Sequence, residues 1–407
     1  MIVVRTLMPR SRRSYGGPHY LDFIDRYTPS RRDTASVRPS QPRLSPDHLA
    51  GDSRKTRRQR PSEIQPSGNR YFTSDRGSLC FDSMDYLVTG ASGLVGNNVV
   101  RSLLDRGKRV RVMVRESTDS RPFEELDVEK AHADLRDAEA IERCMEGVQF
   151  VVHAAADIHI GWQHLERQRE VNVVGSGNVA KAARRVGARL VHVSSVDALA
   201  AGSAEQPVNE ETADHPKLPC TYVVTKREAE EAIRAEQQEG LDAIIVNPGF
   251  MMGPWDWKPS SGRMLLAIAT RWTPAAPVGG MSLCDVRDVA DGIVTALHEG
   301  ESGRRYILAG ENISYLEAWR LFARITERPG PRFRMGPLIR WGAGWFGDLA
   351  TKVTGREGEV NSALIGMSSL FHYYDSSRAM NELGYRVRST DETVRDSWEW
   401  LNKYGYT

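Results

Sequence analysis

A three-glycine loop between two regular elements constrains the fold of this chain more than any other feature of its sequence. Residues 85–90 (DYLVTG) predict a buried strand, and residues 93–107 (GLVGNNVVRSLLDRG) predict a helix. The loop carries Gly90, Gly93 and Gly96. The first glycine allows a tight turn, the second lets backbone N–H groups approach a pyrophosphate, and the third lets the helix pack closely on the strand. The loop therefore predicts a dinucleotide-binding β-α-β unit.

Short apolar runs continue to alternate with amphipathic stretches up to Pro248. This alternation predicts six strands joined by helices, and hence a parallel sheet with right-handed crossovers. The strands after the first are KRVRVMVR, VEKAHADL, VQFVVHAA, RLVHVSS and DAIIVNP. Their apolar composition suits a sheet that helices cover on both faces. We predict an α/β fold, with a Rossmann-type doubly wound parallel sheet over residues 84–248.

The pattern changes after Pro248. Residues 249–263 have the composition of a loop, and residues 332–407 have a mainly helical pattern. Open α/β sheets bind ligands outside the carboxyl ends of their strands. We therefore predict that residues 249–407 form a smaller, mainly helical substrate lobe over those strand ends, with some segments returning to the Rossmann domain.

The first 83 residues differ from the rest of the chain in composition. They contain sixteen basic and eight acidic residues, in stretches such as PRSRRS and SRKTRRQRPSE. Such a segment buries too little apolar surface to offset its conformational entropy, so we predict that residues 1–83 are disordered. Three interpretations stay open: a start assigned upstream of Met84, an Arg-rich targeting segment, and a nucleic-acid-binding arm. Few aromatics are interleaved with the basic residues, so the last is the least favoured and we expect no nucleic-acid partner.

Composition disfavours two further classes of protein. The 407 residues contain no apolar run of about 18 or more, so we predict no membrane span. The cysteines show neither CxxC nor metal-ligand spacing, which predicts free thiols, no bound metal and a reducing, cytoplasmic location. They are Cys80, Cys144, Cys220 and Cys284.

A basic residue stands where the adenosine ribose of a dinucleotide is expected. Arg115 ends the second predicted strand, nineteen residues after Gly96. An acidic residue near this spacing binds the 2′-hydroxyl of NAD, whereas an arginine suits the 2′-phosphate of NADP. Glu116 follows and could partly restore NAD binding, and the alternative for Arg115 is a solvated charge. We predict NADP as the cofactor, with NAD as the alternative.

A tyrosine and a lysine four residues apart point to acid/base chemistry. Tyr222 and Lys226 lie in the sequence YVVTK, and on a helix they share one face. A free tyrosine has a pKa of about 10, and a neighbouring ammonium lowers that pKa by favouring the phenolate. Ser194 and Ser195 end the fifth predicted strand, where one hydroxyl can bind a substrate oxygen. The order of glycine loop, serine and YxxxK predicts an oxidoreductase site.

These motifs resemble the extended short-chain dehydrogenases/reductases, also called the NAD-dependent epimerase/dehydratase family, and within it the dihydroflavonol-4-reductase-like proteins. The chain departs from this family at Ala200, where relatives often have glycine. Sugar-nucleotide dehydratases carry an Asp-Glu pair after the catalytic serine, where this chain has Val196 and Asp197, so dehydratase chemistry is disfavoured. The resemblance covers about residues 84–405 and includes VTGASGLVG, VMVRESTDSRP, HADLRD, VVHAAA, VNVVGSGNV, HVSSVDAL, YVVTKREAE, IVNPGFMMGP, CDVRDVADGI, RRYILAGENIS and SSRAMNELGY.

The resemblance implies roles for individual residues. Ser195, rather than Ser194, matches the catalytic hydroxyl, and Tyr222 and Lys226 complete the catalytic set. Asn172 is implied to support the active site, two residues to contact the adenine (Asp134 and Leu135), and two alanines to line the cofactor path (Ala154 and Ala155). With the glycine loop, the predicted cofactor-binding residues are Gly90, Gly93, Leu94, Gly96, Arg115, Asp134, Leu135, Ala154, Ala155, Tyr222, Lys226 and Asn247.

The combined motifs predict hydride transfer to a carbonyl group of a small-molecule substrate. Tyr222 is expected to donate the proton, Ser195 to orient the substrate oxygen, and Lys226 to hold the nicotinamide ribose and lower the pKa of Tyr222. The alternatives are a nucleotide-sugar epimerase with tightly bound NAD and a non-enzymatic cofactor sensor. The epimerase would need basic residues for a diphosphate, for which the candidates are Arg263, Arg271 and Arg287.

The sequence also suggests a substrate pocket and an assembly. The candidate pocket residues are Ile158, His159, Trp162, Met251, Met252, Trp255 and Trp257, and loop packing is the alternative for all of them. Many relatives pair through helices that correspond to residues 165–187 and 220–239, so a homodimer is one expected assembly.

Overall fold

The computed structural model describes residues 85–212, 217–358 and 360–407. The expectations for residues 1–83 and for Cys80 lie outside these ranges. The described residues belong to one compact unit. As predicted, free thiols are found at the described cysteines, all buried: Cys144, Cys220 and Cys284.

Seven parallel strands form the central sheet. They are β1 (Tyr86–Thr89), β2 (Val110–Val114), β3 (Glu129–His132), β4 (Phe150–His153), β5 (Arg189–Val193), β6 (Ala243–Pro248) and β10 (Arg305–Leu308). Their order across the sheet is β3-β2-β1-β4-β5-β6-β10. Val88 pairs with Val112 of β2 on one side and with Val152 of β4 on the other. The strand order reverses between β1 and β4, and this topology confirms the predicted Rossmann-type fold.

Helices cover both faces of the sheet. They are α1 (Leu94–Asp105), α2 (Ala138–Cys144), α3 (Leu165–Arg169), α4 (Gly175–Val186), α5 (Thr221–Gln238) and α7 (Val286–Glu299). α1 and α7 pack on one face, and α2, α4 and α5 pack on the other. Because side chains alternate along a strand, Leu87 belongs to one apolar cluster and Val88 to the other. α3 runs into α4 through a π-helical turn, Glu170–Val174, within the single helix predicted for residues 165–187.

The remaining elements lie outside the central sheet, and several of them build a third apolar cluster. They are β7 (Phe250–Met252), α6 (Gly262–Thr270), β8 (Ala275–Ala276), β9 (Gly280–Asp285), β11 (Glu311–Ser314), α8 (Tyr315–Ile325), β12 (Phe333–Arg334), α9 (Pro337–Thr354), α10 (Ser362–Met367), β13 (Phe371–His372), α11 (Ser377–Leu383) and α12 (Thr390–Lys403). β9 pairs with β7, β11 and β13. The expectation of an unstructured loop over residues 249–263 is therefore wrong at β7. This strand forms because its backbone pairs with β9, which lies further along the chain.

Candidate functional site

The glycine loop connects β1 to α1 and passes close to the end of β4. Gly90 has a φ of 69°, and a Cβ atom built there would lie 2.6 Å from the backbone nitrogen of Ala155. A Cβ atom at Gly96 would lie 2.3 Å from the carbonyl oxygen of Gly90. Both positions need glycine, because a side chain at either one would force the loop away from α1 or β4.

The amino end of α1 fits a pyrophosphate group. Gly93 is the N-cap residue and has no side chain to cap the helix, while Leu94 begins the helix and is buried. The first N–H groups of a helix have no intrahelical acceptor, and the helix dipole adds partial positive charge there. Ala154 and Ala155 lie beside this loop, since the N–H of Ala154 donates to the carbonyl oxygen of Thr89 at 3.3 Å. The structure thus brings these predicted residues together, and their contact with a cofactor stays a prediction.

Basic side chains gather at the ends of β2 and β3. Arg136 donates to the Asp134 carboxylate at 2.7 Å and, with a smaller contribution from Arg115, lowers the pKa of Asp134 to about 2. Glu116, the acidic competitor for the ribose, lies 3.3 Å from Nδ1 of His132 and is 86% exposed. Arg136, which the sequence analysis missed, thus joins Arg115 in a basic edge around Asp134.

Leu135 lies between this basic edge and α4. It is buried, and a Cβ atom at Gly175 would lie 2.8 Å from its own Cβ. Its carbonyl oxygen accepts a hydrogen bond from Nδ2 of Asn178 at 2.9 Å. Gly175 therefore allows α4 to approach the segment that is predicted to contact the adenine.

Asn172 ties the loop after β4 to α5. It is buried within the π-helical turn. Its Oδ1 accepts from the N–H of Asp157 at 2.7 Å, and its Nδ2 donates to Oγ1 of Thr225 at 3.0 Å. Thr225 directly precedes Lys226, so Asn172 fixes α5 against that loop. Single π-helical turns are frequent at functional sites, and these contacts fit the supporting role that the resemblance implies.

Ser195 follows β5 and caps a short 3-10 helix, Val196–Ala198. Its Oγ accepts a hydrogen bond from the N–H of Asp197 at 3.1 Å, and its hydroxyl lies close enough to the Tyr222 phenol to lower the pKa of that phenol. Because the cap supplies a donor to Oγ, the Ser195 proton can be donated to another oxygen. Ser194 instead donates to Oε1 of Glu230 at 2.6 Å. Of the two serines, Ser195 is therefore the one that contacts the tyrosine.

Tyr222 is half-buried near the start of α5. Burial raises the pKa of Tyr222 above its usual value, Asp197 raises it further, and the hydrogen bond from Ser195 lowers it. The prediction that Lys226 lowers this pKa is wrong, because burial dominates and the ammonium donates to the Val193 carbonyl oxygen at 3.0 Å. A raised pKa keeps the phenol protonated at neutral pH, as a proton donor requires.

Lys226 lies one helical turn after Tyr222 and is 4% exposed. Burial lowers the pKa of Lys226 to about 8, while Glu230 and Asp197 act in the opposite direction. The side chain is thus mainly an ammonium at neutral pH. An ammonium has three donors, so the bond to Val193 leaves capacity for a further acceptor such as a ribose hydroxyl.

A buried charge network lies directly behind Ser195, and the sequence analysis missed it. Asp197 Oδ1 accepts from Lys217 Nζ at 2.8 Å and lies 3.3 Å from Nδ1 of His372. Lys217 also donates to the Tyr374 hydroxyl at 3.0 Å. Burial opposes the ionisation of Asp197, but Lys217 and His372 together hold the pKa of this carboxyl far below its usual range. The network anchors the 3-10 helix that Ser195 caps.

A second buried network holds the backbone of Ser195. Asn247 Nδ2 donates to the Ser195 carbonyl oxygen and to Oε1 of Glu230, both at 2.8 Å. Burial opposes the ionisation of Glu230, but Arg305 and the hydrogen bonds from Ser194 and Asn247 lower the pKa of its carboxyl. The observed contacts of Asn247 therefore position Ser195, and the cofactor contact expected of Asn247 stays a prediction.

Several candidate pocket residues serve packing instead. Trp255 and Trp257 form an aromatic cluster with Trp400 and Tyr404, in which the ring centroids of Trp257 and Tyr404 are 4.9 Å apart. The Arg101 guanidinium lies 3.3 Å from the ring centroid of Trp255. The two methionines pack against apolar clusters, and Met252 is fully buried. The packing alternative is therefore the correct one for the two tryptophans and for Met252.

The other pocket candidates lie in the loop before α3, next to the catalytic helix. The N–H of Thr221 donates to the Gly161 carbonyl oxygen at 2.9 Å, which places this loop beside Tyr222. Nε2 of His159 lies 2.9 Å from Oε2 of Glu357, so this histidine has a structural partner. Large apolar side chains of this loop are exposed, namely Ile158 and Trp162.

The basic residues proposed for a diphosphate are dispersed. Arg287 is engaged by Asp285 and Asp396, each 2.6 Å from its Nη2. Arg263 and Arg271 stand at opposite ends of α6 and are exposed. Within the described ranges, no group of three or more His, Cys, Asp or Glu side chains is arranged to hold a metal ion.

Comparison with known proteins yields matches over the described residues. The profile of the NAD dependent epimerase/dehydratase family matches residues 86–309. A putative dihydroflavonol 4-reductase from Synechocystis sp. is 33% identical, over 79% of this chain and 95% of its own length. Sterol demethylase protein B from Methylococcus capsulatus is 34% identical, over 79% of this chain and 99% of its own length. The crystal structure of gox2253 is 33% identical with a TM-score of 0.69, and the match covers 79% of this chain and 99% of that one.

Proposed function

Because the chain belongs to the NAD-dependent epimerase/dehydratase family, we propose that it is an NAD(P)-dependent reductase of a small-molecule carbonyl compound. The observation that carries the proposal is that the Ser195 hydroxyl lies close enough to Tyr222 to lower the pKa of that phenol, with the Lys226 ammonium one helical turn away. A substrate oxygen placed against both hydroxyls would receive two hydrogen bonds at one atom. The second network positions this pair through the bond from Asn247 to the Ser195 carbonyl oxygen.

Each residue of the site has a separate role in the proposed reaction. A bound nicotinamide supplies the hydride that a carbonyl carbon accepts. Tyr222 donates its proton to the carbonyl oxygen, and its raised pKa favours this direction because the phenol stays protonated until it is needed. Ser195 donates a hydrogen bond that holds the same oxygen. Lys226 binds ribose hydroxyls with the donors that its hydrogen bond to Val193 leaves unused.

The basic edge at the ends of β2 and β3 supports NADP as the cofactor. Arg115 and Arg136 lie around Asp134, and Glu116 contacts His132 instead of standing alone as a ribose acceptor. A 2′-phosphate carries the negative charge that such guanidinium groups bind in a bidentate manner.

Two observations favour a reductase over a nucleotide-sugar epimerase. The relatives at 33–34% identity carry the names of a reductase and of a sterol demethylase protein. Arg287, one of the side chains that a diphosphate would need, is engaged by two carboxylates. An intact Ser195–Tyr222 pair also argues against a cofactor sensor, which needs no proton donor.

The test is reduction of a panel of aldehydes and ketones with NADPH. We expect Tyr222→Phe to lower kcat by about 10²–10⁴-fold, because the ring is kept and the proton donor is lost. Ser195→Ala should lower kcat more than Ser194→Ala, which serves as the matched control. Cofactor affinity should persist in Tyr222→Phe and fall in Lys226→Met. Epimerisation of a nucleotide sugar by protein that releases NAD on denaturation would overturn the reductase proposal.

A further inference from the structure

The α9 helix presents an apolar face outward. Its exposed side chains recur with helical spacing along one broad face: Leu338, Ile339, Trp341, Trp345, Phe346, Leu349 and Val353. Leu338, Phe346 and Val353 are 84%, 66% and 77% exposed. Trp341 stacks on Trp345 with ring centroids 6.3 Å apart, and Trp345 meets Phe346 edge-on at 5.0 Å. A contiguous exposed apolar patch of this kind marks an interaction surface.

The inner face of α9 explains why the large side chains are directed outward. A Cβ atom at Gly347 would lie 2.1 Å from the Val360 carbonyl oxygen, and one at Gly344 would lie 3.3 Å from Cα of Ser362. Small residues thus let the helix lie directly on the segment that follows it. α9 therefore packs on the rest of the protein through its small residues, and its aromatic side chains face outward.

The charges around this face are almost all positive. Exposed basic residues stand at both ends of the helix: Arg332, Arg334, Lys352 and Arg356. The carboxylates of the described stretch 332–358 are turned inward. Oδ1 of Asp348 accepts from the N–H of Ser362 at 3.0 Å, and the 3%-exposed Glu357 contacts His159. Among the described residues, Arg332, Lys352 and Arg356 lie in no ion pair, and Arg334 is near enough to Glu317 to lower the pKa of that carboxyl.

We propose that α9 docks flat on the surface of an anionic lipid bilayer. Aromatic side chains on one side of a helix with basic residues at its ends are typical of interfacial helices. A lipid surface supplies both the apolar layer and the negative charge that this face needs, and each basic residue near it strengthens the binding. A second copy of the chain would supply an apolar face but no negative charge, because a two-fold interface would bring like charges together.

The length of the helix agrees with this orientation. α9 has 18 residues and therefore measures about 27 Å. No helix of the described residues is long and apolar enough to cross a membrane. The segment after α9 also reaches the site, since Nε1 of Trp162 donates to Oγ of Ser362 at 2.8 Å. Docking would bring the exposed Ile158 and Trp162, in the loop beside the catalytic tyrosine, close to the lipid surface.

The experiment is cosedimentation of the full chain with vesicles of phosphatidylcholine, with and without phosphatidylglycerol. We expect binding to the anionic vesicles that weakens with salt. The variant Trp341→Ser/Trp345→Ser/Phe346→Ser should lower the partition coefficient by about tenfold or more, and Lys352→Glu/Arg356→Glu should lower it by a similar factor. The control variant Val186→Ser/Met380→Ser removes exposed apolar side chains outside α9 and should bind as the parent does.

The triple variant keeps the basic residues 1–83, so the difference between parent and variant reports on α9 alone. Circular dichroism and cofactor binding should be unchanged, because the three side chains are exposed. Absence of binding by the parent, or equal binding by parent and triple variant, would overturn the proposal. A parent that is dimeric by light scattering and becomes monomeric in the triple variant would assign the face to a second copy and overturn it as well.

Discussion

Removing the charge of Asp197 tests the network behind Ser195. The Lys217 side chain is fully buried and that of Asp197 is 19% exposed, so water screens their ion pair weakly. Removing one partner from a buried pair leaves an uncompensated charge and costs about 3–5 kcal/mol. We expect Asp197→Asn to lower the free energy of unfolding by about this amount at pH 7. Asn has nearly the same volume, so the loss reports on charge rather than on a cavity.

The control makes the same chemical change in an exposed pair. Asp291 contacts Arg106 at 2.9 Å with both side chains largely exposed, and such pairs are worth about 0–1 kcal/mol. Urea unfolding followed by tryptophan fluorescence gives both values. Lys217→Met, combined with Asp197→Asn in a double-mutant cycle, should cost less than the two single changes added together. A loss in Asp197→Asn no larger than in Asp291→Asn would refute the account of the network.

The parent and Asp197→Asn should differ in their free energy of unfolding, and this difference should depend on pH with a definite sign. The folded protein holds the pKa of Asp197 far below its usual range. A carboxyl with a depressed pKa stabilises the fold above its unfolded pKa of about 3.9, and this stability is lost as the pH falls through the folded pKa. The difference between parent and Asp197→Asn should therefore be complete at pH 7 and should narrow only below about pH 4.

Three further outcomes follow from the site. Asp197 raises the pKa of Tyr222, so Asp197→Asn should shift the basic limb of the pH profile of kcat/KM for reduction to lower pH. If this limb does not move, Asp197 has no influence on the acid/base step. Arg115→Asp should weaken NADPH binding far more than NADH binding in titration calorimetry, and equal affinities for the two cofactors in the parent would contradict a preference for NADP. Gly96→Ala should abolish cofactor binding and lower stability by about 1–3 kcal/mol, because its Cβ atom would meet a backbone oxygen at 2.3 Å. The control Gly342→Ala has open space and should bind cofactor normally.

The sequence predicted the parts of the fold that depend on local patterns. The strand, glycine loop and helix around Gly90 follow one another directly, so their periodicity and turn chemistry identify them without any distant partner. The same holds for the YxxxK helix and for the serines that end β5. β7 and β9 could not be found in this way. All six residues of β9 are buried, so the alternation that marks a strand is absent, and its partners lie in three distant segments.

The residues that support the site could likewise not be predicted, because they come together from distant parts of the chain. Asp197 and Lys217 both follow β5 along the chain, and His372 reaches Asp197 from β13, which pairs with β9. No spacing in the sequence relates these three positions. The pKa of Tyr222 could also not be predicted from the sequence. The YxxxK pattern indicates a neighbouring ammonium, but it carries no information about burial, which dominates this pKa in the structure.

The Asp197 network and the Asn247 network together fix the position of Ser195 and the hydrogen bonds that its hydroxyl can form. Asn247 holds its carbonyl oxygen, and the N–H of Asp197 is directed at its Oγ. With backbone and acceptor both fixed, the remaining freedom of the side chain is the rotation of its O–H bond, which can point only to an acceptor on the open side of the strand end. Tyr222 lies close to this hydroxyl, which lowers the pKa of the phenol. In the proposed reaction, a carbonyl oxygen between the two hydroxyls would meet donors that are already in place, and such preorganisation would stabilise the developing negative charge at no cost in reorganisation.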